Sequence, residues 1–119
     1  MILITGINGE LGSALIKILY NHYKYDIVGL DIKIPTETIK PLLSKIYTGD
    51  IRDKKLIEKI FIENQITEIY HLAAVLSTKA ESIPFLSHEI NVDGFLNLIE
   101  AIQNRDNIIK SFKDKLALS

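Results

Sequence analysis

The chain has 119 residues, enough for one domain with a single modest core. Hydrophobic residues make up 47%, charged residues 24% and the formal net charge is −1, so nothing in the balance draws the chain toward nucleic acid or an anionic membrane. The absence of cysteine excludes disulfides, thiolate metal sites and cysteine nucleophiles, and apolar runs such as Leu72–Leu76 are too short to cross a bilayer.

Met1 opens directly into an apolar run with no basic segment before it, so no signal peptide is argued and the expected setting is cytoplasmic. Residues 1–5 form a short continuous apolar run, as in a strand buried on both faces of a parallel sheet. From Glu10 the period changes, and Leu11, Ala14, Leu15, Ile18 and Leu19 predict a helix with that stripe inward. Residues 26–31 read as a second strand ending on Asp31. Residues 32–44, with Pro35 and Pro41, read as a loop with at most a short helix, and residues 44–48 as a weak third strand. Asp53 is the expected N-cap of a helix whose inner face carries Leu56, Ile57, Ile60 and Phe61. Residues 68–74 make the fourth strand. A looser stretch runs to Pro84, and a long helix to about Gln103 is expected to bury Val92, Phe95, Leu96, Ile99 and Ile102. Strand and helix alternate with connections too long for hairpins, so the fold class is α/β with a parallel sheet. The expected domain is residues 1–104. Residues 105–119 stay unassigned, since they suit the start of a fifth strand and a short amphipathic turn equally well.

The chemistry concentrates in Thr5-Gly6-Ile7-Asn8-Gly9-Glu10-Leu11-Gly12. Three glycines spaced three apart lie between a strand and a helix. The first permits a tight turn, the second lets backbone approach a pyrophosphate, and the third lets helix pack on strand. The helix N-terminus offers unpaired N–H groups to phosphate oxygens. Asp31, 19 residues beyond Gly12, stands where a carboxylate accepts the adenosine ribose hydroxyls and repels a 2′-phosphate, favouring NAD over NADP. Gly6, Asn8, Gly9, Glu10, Leu11, Gly12 and Asp31 are therefore candidate cofactor contacts.

The TGxxGxxG spacing resembles the extended short-chain dehydrogenase/reductase superfamily, which includes NAD-dependent epimerases and dehydratases. Residues 49–53 (GDIRD), 71–74 (HLAA), 91–94 (NVDG) and 98–101 (LIEA) resemble further segments of that family in order, covering residues 1 to about 104. The resemblance implies a Rossmann-type doubly wound sheet, truncated after about four strands in the order 3-2-1-4. It implies that Asp50 meets the adenine amino group and that Ile51 packs on the ring. It also implies that Leu72, Ala73 and Ala74 pass close to the cofactor and that Asn91 helps shape the active site. Residues 75–81 and 31–35 resemble segments of the short-chain L-threonine 3-dehydrogenase branch, which adds Ile32 to the cofactor contacts and Ser77 to the substrate side.

The family's catalytic Tyr-x-x-x-Lys pair, with a Ser or Thr on the strand before it, is not matched between Asn107 and Ser119. Tyr20 and Lys24 have the spacing, but they fall at the end of the first helix, away from the strand ends that would carry a nicotinamide. His22, His71 and His88 share no metal-ligand spacing, so no metal is expected. The expectation is an interrupted family member that binds NAD without turnover, its fourth strand open to homodimerisation or aggregation. Three readings stay open: part of a threonine dehydrogenase, part of a nucleotide-sugar 4-epimerase or dehydratase, or a non-catalytic NAD-binding module. Only the first two imply a small-molecule substrate.

Overall fold

A computed structural model describes residues 1–73 and 93–104. Among these residues four strands form one parallel sheet: β1 (Ile2–Thr5), β2 (Ile27–Asp31), β3 (Lys45–Thr48) and β4 (Glu68–His71), in the order β3-β2-β1-β4. Helix α1 (Glu10–Tyr23) joins β1 to β2, α2 (Lys54–Glu63) joins β3 to β4, and α3 (Gly94–Gln103) follows. The stretch between β2 and β3 holds only a 3₁₀ turn at Lys40–Leu42, in keeping with its two prolines.

Residues of β1 alternate between two cores. Ile2 and Ile4 face α1 together with Ile16, Leu19 and Ile27, whereas Leu3 faces α2 and α3 together with Val28, Leu30, Ile57 and Leu98. A strand covered on both faces must be apolar throughout, which is why β1 and β2 read as unbroken runs. The outer strands β3 and β4 of the described sheet are only partly buried. Helices on both faces make the sheet doubly wound.

Two helical faces differ from the sequence expectation. In α1 the buried residues are Gly12, Ile16 and Leu19, while Leu11 is 67% exposed and Ala14 and Ile18 also face outward. The helix is rotated because Gly12 lies directly on the Gly6 carbonyl, and only glycine permits that approach. In α3 the buried residues are Gly94, Leu98 and Ala101, while Phe95, Leu96 and Ile102 are exposed. There Gly94 packs on Ile51, and a Cβ at that position would stand 2.5 Å from Ile51 Cγ2. Val92 lies outside the described residues. The α2 face is as expected, with Asp53 accepting the Leu56 N–H at 3.2 Å and Ile57, Ile60 and Phe61 buried.

Candidate functional site

The carboxyl ends of all four strands open onto one cleft of about 280 Å³, near the lower bound of small-molecule sites at about 300 Å³. Gly6 and Gly9 form its floor, with Asp31, Ile32, Asp50 and Ile51 on one side and Leu72 and Ala73 on the other.

The floor is shaped by glycine geometry. Gly6 has φ +75°, and a Cβ there would lie 2.7–2.8 Å from Leu72 and Ala73 backbone atoms, so β1 and β4 meet where only glycine fits. Gly9 differs: among the described residues a Cβ there would meet only the Gly6 carbonyl oxygen, at an ordinary 3.5 Å. Packing among the described residues does not require glycine at this position. Gly9 is also the N-cap of α1 and supplies no side-chain cap, leaving the first-turn amides of Glu10, Leu11 and Gly12 without an intrahelical acceptor. The loop is held from behind by the Ser13 hydroxyl donating to the Ile7 carbonyl at 3.0 Å.

Asp31 latches the rim. Its carboxylate accepts the Asn8 backbone N–H at 2.9 Å and the Lys33 N–H at 3.2 Å, and the Asn8 amide donates to the Lys33 and Ile34 carbonyls. The glycine loop and the segment after β2 are therefore tied together through Asn8 and Asp31. Each carboxylate oxygen keeps a lone pair for a further donor. Asp50 sits beneath a forked Arg52, whose Nε donates to Oδ1 at 3.0 Å and whose Nη2 donates to Oδ2 at 2.6 Å. The Arg52 hydrogen bonds hold the Asp50 carboxyl below the ordinary carboxylate range, with burial opposing, so Asp50 is ionised and oriented. Ile51 is buried between the cleft and α3, and its carbonyl accepts the Asn97 amide at 3.1 Å.

The opposite wall hangs from Thr5. This fully buried hydroxyl accepts the Leu72 and Ala73 N–H groups at 3.0 and 3.1 Å and contacts His71 Nδ1 at 2.7 Å. The His71 ring stacks on Phe95 with centroids 5.8 Å apart, and burial holds its pKa below the ordinary histidine value.

Of the residues expected in the site, Gly6, Gly9, Asp31, Ile32, Asp50, Ile51, Leu72 and Ala73 line the cleft. Asn8, Glu10, Leu11 and Gly12 belong to the loop and first turn that bound it. Ala74, Ser77 and Asn91 lie outside the described residues. Leu30 and Gly49 also line the cleft. The bridging role of Thr5 and His71 is not visible in the sequence, because 66 residues separate them. A side-by-side pairing of β1 and β4, in register at Thr5 and His71, is the only signal that reveals it. Lys24 and Tyr20 stay at the far end of α1, about 20 Å away by helical rise, with the Lys24 ammonium 5.0 Å from the Tyr20 ring centroid. Among the described residues no cluster of three His, Cys, Asp or Glu side chains is placed to hold a metal ion. Among them, too, no helix is long and apolar enough to cross a membrane.

Residues 2–112 match the family described as NAD dependent epimerase/dehydratase. The chain belongs to that family. Its members use NAD, and the cleft has the parts that such a dinucleotide needs: an open helix terminus for phosphate, a carboxylate for hydroxyls and apolar walls for a flat ring. The human inactive L-threonine 3-dehydrogenase, mitochondrial, is 34% identical over 100 residues, which cover 83% of this chain and 43% of that protein. A solved monomeric L-threonine 3-dehydrogenase from a metagenome superposes with a TM-score of 0.78 at 36% identity, covering 89% of this chain and 33% of that one. A UDP-glucose 4-epimerase of Thermus thermophilus, solved with NAD, gives a TM-score of 0.76 at 30% identity over 88% of this chain and 34% of its own. The chain therefore spans about a third of the length of these two solved relatives, and less than half of the human one.

Proposed function

We propose that this chain binds NAD in the cleft at the strand ends, as the dinucleotide-binding part of an L-threonine 3-dehydrogenase-like member of the family. The observation that carries the reading is the convergence of an uncapped helix terminus and the Asp31 carboxylate on one cleft. In this arrangement the pyrophosphate lies against Gly9 and the first-turn amides of Glu10, Leu11 and Gly12. Asp31 accepts ribose hydroxyls, Ile32 and Ile51 flank the adenine, and Asp50 accepts its amino group. Gly6, Leu72 and Ala73 carry the backbone past the remainder of the dinucleotide, while Asn8 holds Asp31 in place. Asp31 repels a 2′-phosphate, so NAD is preferred over NADP.

Bound NAD supplies a hydride acceptor. These 119 residues supply the binding surface, and their only Tyr-x-x-x-Lys spacing is Tyr20–Lys24 on the wrong end of α1. Binding without threonine oxidation is therefore expected of these residues alone. Sequence segments 31–35 and 75–81 and the likeness to threonine dehydrogenases support that branch. The similar TM-score of the UDP-glucose 4-epimerase keeps a nucleotide-sugar substrate as the second reading.

Thermal unfolding with and without coenzyme tests the proposal. NAD at about 100 times its dissociation constant adds about 2.7 kcal/mol, which raises Tm by roughly 10 °C in a domain of this size. NADP at the same concentration is expected to shift it less. A melt insensitive to NAD overturns the reading.

A further inference from the structure

The Thr5 hydroxyl has one proton to give and two lone pairs to receive, and the structure presents it with three polar partners. Two of these are the Leu72 and Ala73 backbone N–H groups, which can only donate. The third, His71 Nδ1 at 2.7 Å, must therefore accept the hydroxyl proton, and the neutral ring carries its own proton on Nε2. The Leu72 N–H also points at the Thr5 carbonyl at 3.1 Å, so this amide is shared, but the Thr5 proton has no acceptor among the described residues other than His71.

We propose that His71 is a positioning residue for the coenzyme cleft: in its neutral Nε2–H form it takes the Thr5 proton and so frees both lone pairs of that hydroxyl to hold Leu72 and Ala73, and protonation of Nδ1 releases that wall. The proposal rests on the reading that NAD occupies the cleft. Protonated Nδ1 becomes a donor facing Thr5, and the buried hydroxyl proton is then left without a partner. Leu72 and Ala73 are the residues against which Gly6 closes, so a loosened wall disturbs the floor as well. From β1 the ring faces Thr5, and from α3 it faces Phe95. Among the described residues no acid, lysine or arginine perturbs its titration, and burial alone lowers its pKa. The neutral form is thus favoured in the folded chain. Stability is full above about pH 6.5, the unperturbed histidine value, and is lost as pH falls from there through the lower folded value, whereas affinity is lost over the folded-state titration.

The test uses the ¹⁵N-labelled 119-residue chain. Long-range ¹H–¹⁵N spectra at about pH 7.5, with His71→Asn to assign the ring, are expected to show a neutral Nε2–H imidazole. An Nδ1–H tautomer, or a charged ring at that pH, overturns the proposal whether or not the variant folds. On acidification the Leu72 and Ala73 amide signals are expected to follow the His71 titration, and amides that do not move with it overturn the proposal. His71→Asn keeps an acceptor near the Nδ1 position and does not titrate. NAD affinity is therefore expected to fall in the native chain as pH is lowered through the His71 titration read from the same spectra, and less than twofold over the same interval in the variant. Equal loss in both overturns the role of His71. Absence of NAD binding at every pH, with the two amides still following His71, supports the switch and overturns the binding reading instead.

Discussion

Gly9 and Gly12 stand three residues apart, and their surroundings give them different duties. Gly12 lies on the Gly6 carbonyl, so Gly12→Ala is expected to destabilise the chain by about 1–3 kcal/mol through overpacking against rigid backbone. Gly9 has ordinary room for a Cβ, so Gly9→Val is expected to fold and melt close to the native temperature while losing NAD binding. Melting and calorimetry on the two variants separate a fold requirement from a ligand requirement; retained NAD affinity in Gly9→Val defeats the placement of the pyrophosphate. Asp31 combines the two duties, since it would receive ribose hydroxyls and already receives the Asn8 and Lys33 amides. Asp31→Asn is expected to weaken NAD and raise the NADP/NAD affinity ratio, and also to loosen the loop, read as faster exchange of the Asn8 amide. The glycine spacing and Asp31 were legible in the sequence because each serves a local turn or a strand end. The Thr5–His71 bridge was not, because neither residue is unusual until β1 and β4 lie side by side.

Helix positions were legible, but the rotation of α1 and α3 was not. α1 carries apolar side chains at Leu11, Leu15, Ile16, Ile18 and Leu19, and α3 carries Phe95, Leu96, Leu98, Ile99 and Ile102, so more than one face of each is apolar enough to be the inner one. Periodicity then cannot choose the rotation, and contacts at single glycines do: Gly12 on Gly6, and Gly94 on Ile51. α2 was read correctly because Leu56, Ile57, Ile60 and Phe61 share one face, while Lys55 and Lys59, with the lone Ile62, occupy the other. Its end is fixed by the buried Asn64 amide, which donates to the Ile60 carbonyl at 2.9 Å and the Tyr47 hydroxyl at 2.8 Å, tying α2 to β3. Asn64→Ala removes both bonds and is expected to cost about 1–3 kcal/mol, measured by denaturant unfolding, with NAD affinity at low denaturant unchanged.

At the scale of the molecule, the cleft draws its lining from loops as far apart as Gly6 and Ala73. The parallel sheet followed from the alternation of strands and helices, and its order from the resemblance. The join between the ends of β1 and β4 could not be read from either, since it is made by backbone approach at Gly6. A chain of residues 1–66 keeps the glycine loop, Asp31 and Asp50 but lacks β4, and it is expected to show no NAD binding by calorimetry; binding near native affinity would mean that the Leu72–Ala73 wall is dispensable. The central place of β1 has a consequence for biosynthesis. One of its edges meets β2 within 25 residues, while the other must wait 66 residues for β4. At ribosomal speeds that interval lasts on the order of several seconds, during which an apolar strand edge has no neighbour. The nascent chain is most in need of a chaperone then, and if NAD binds at the strand ends as proposed, coenzyme cannot help it, because the Leu72–Ala73 wall is in place only once β4 has emerged.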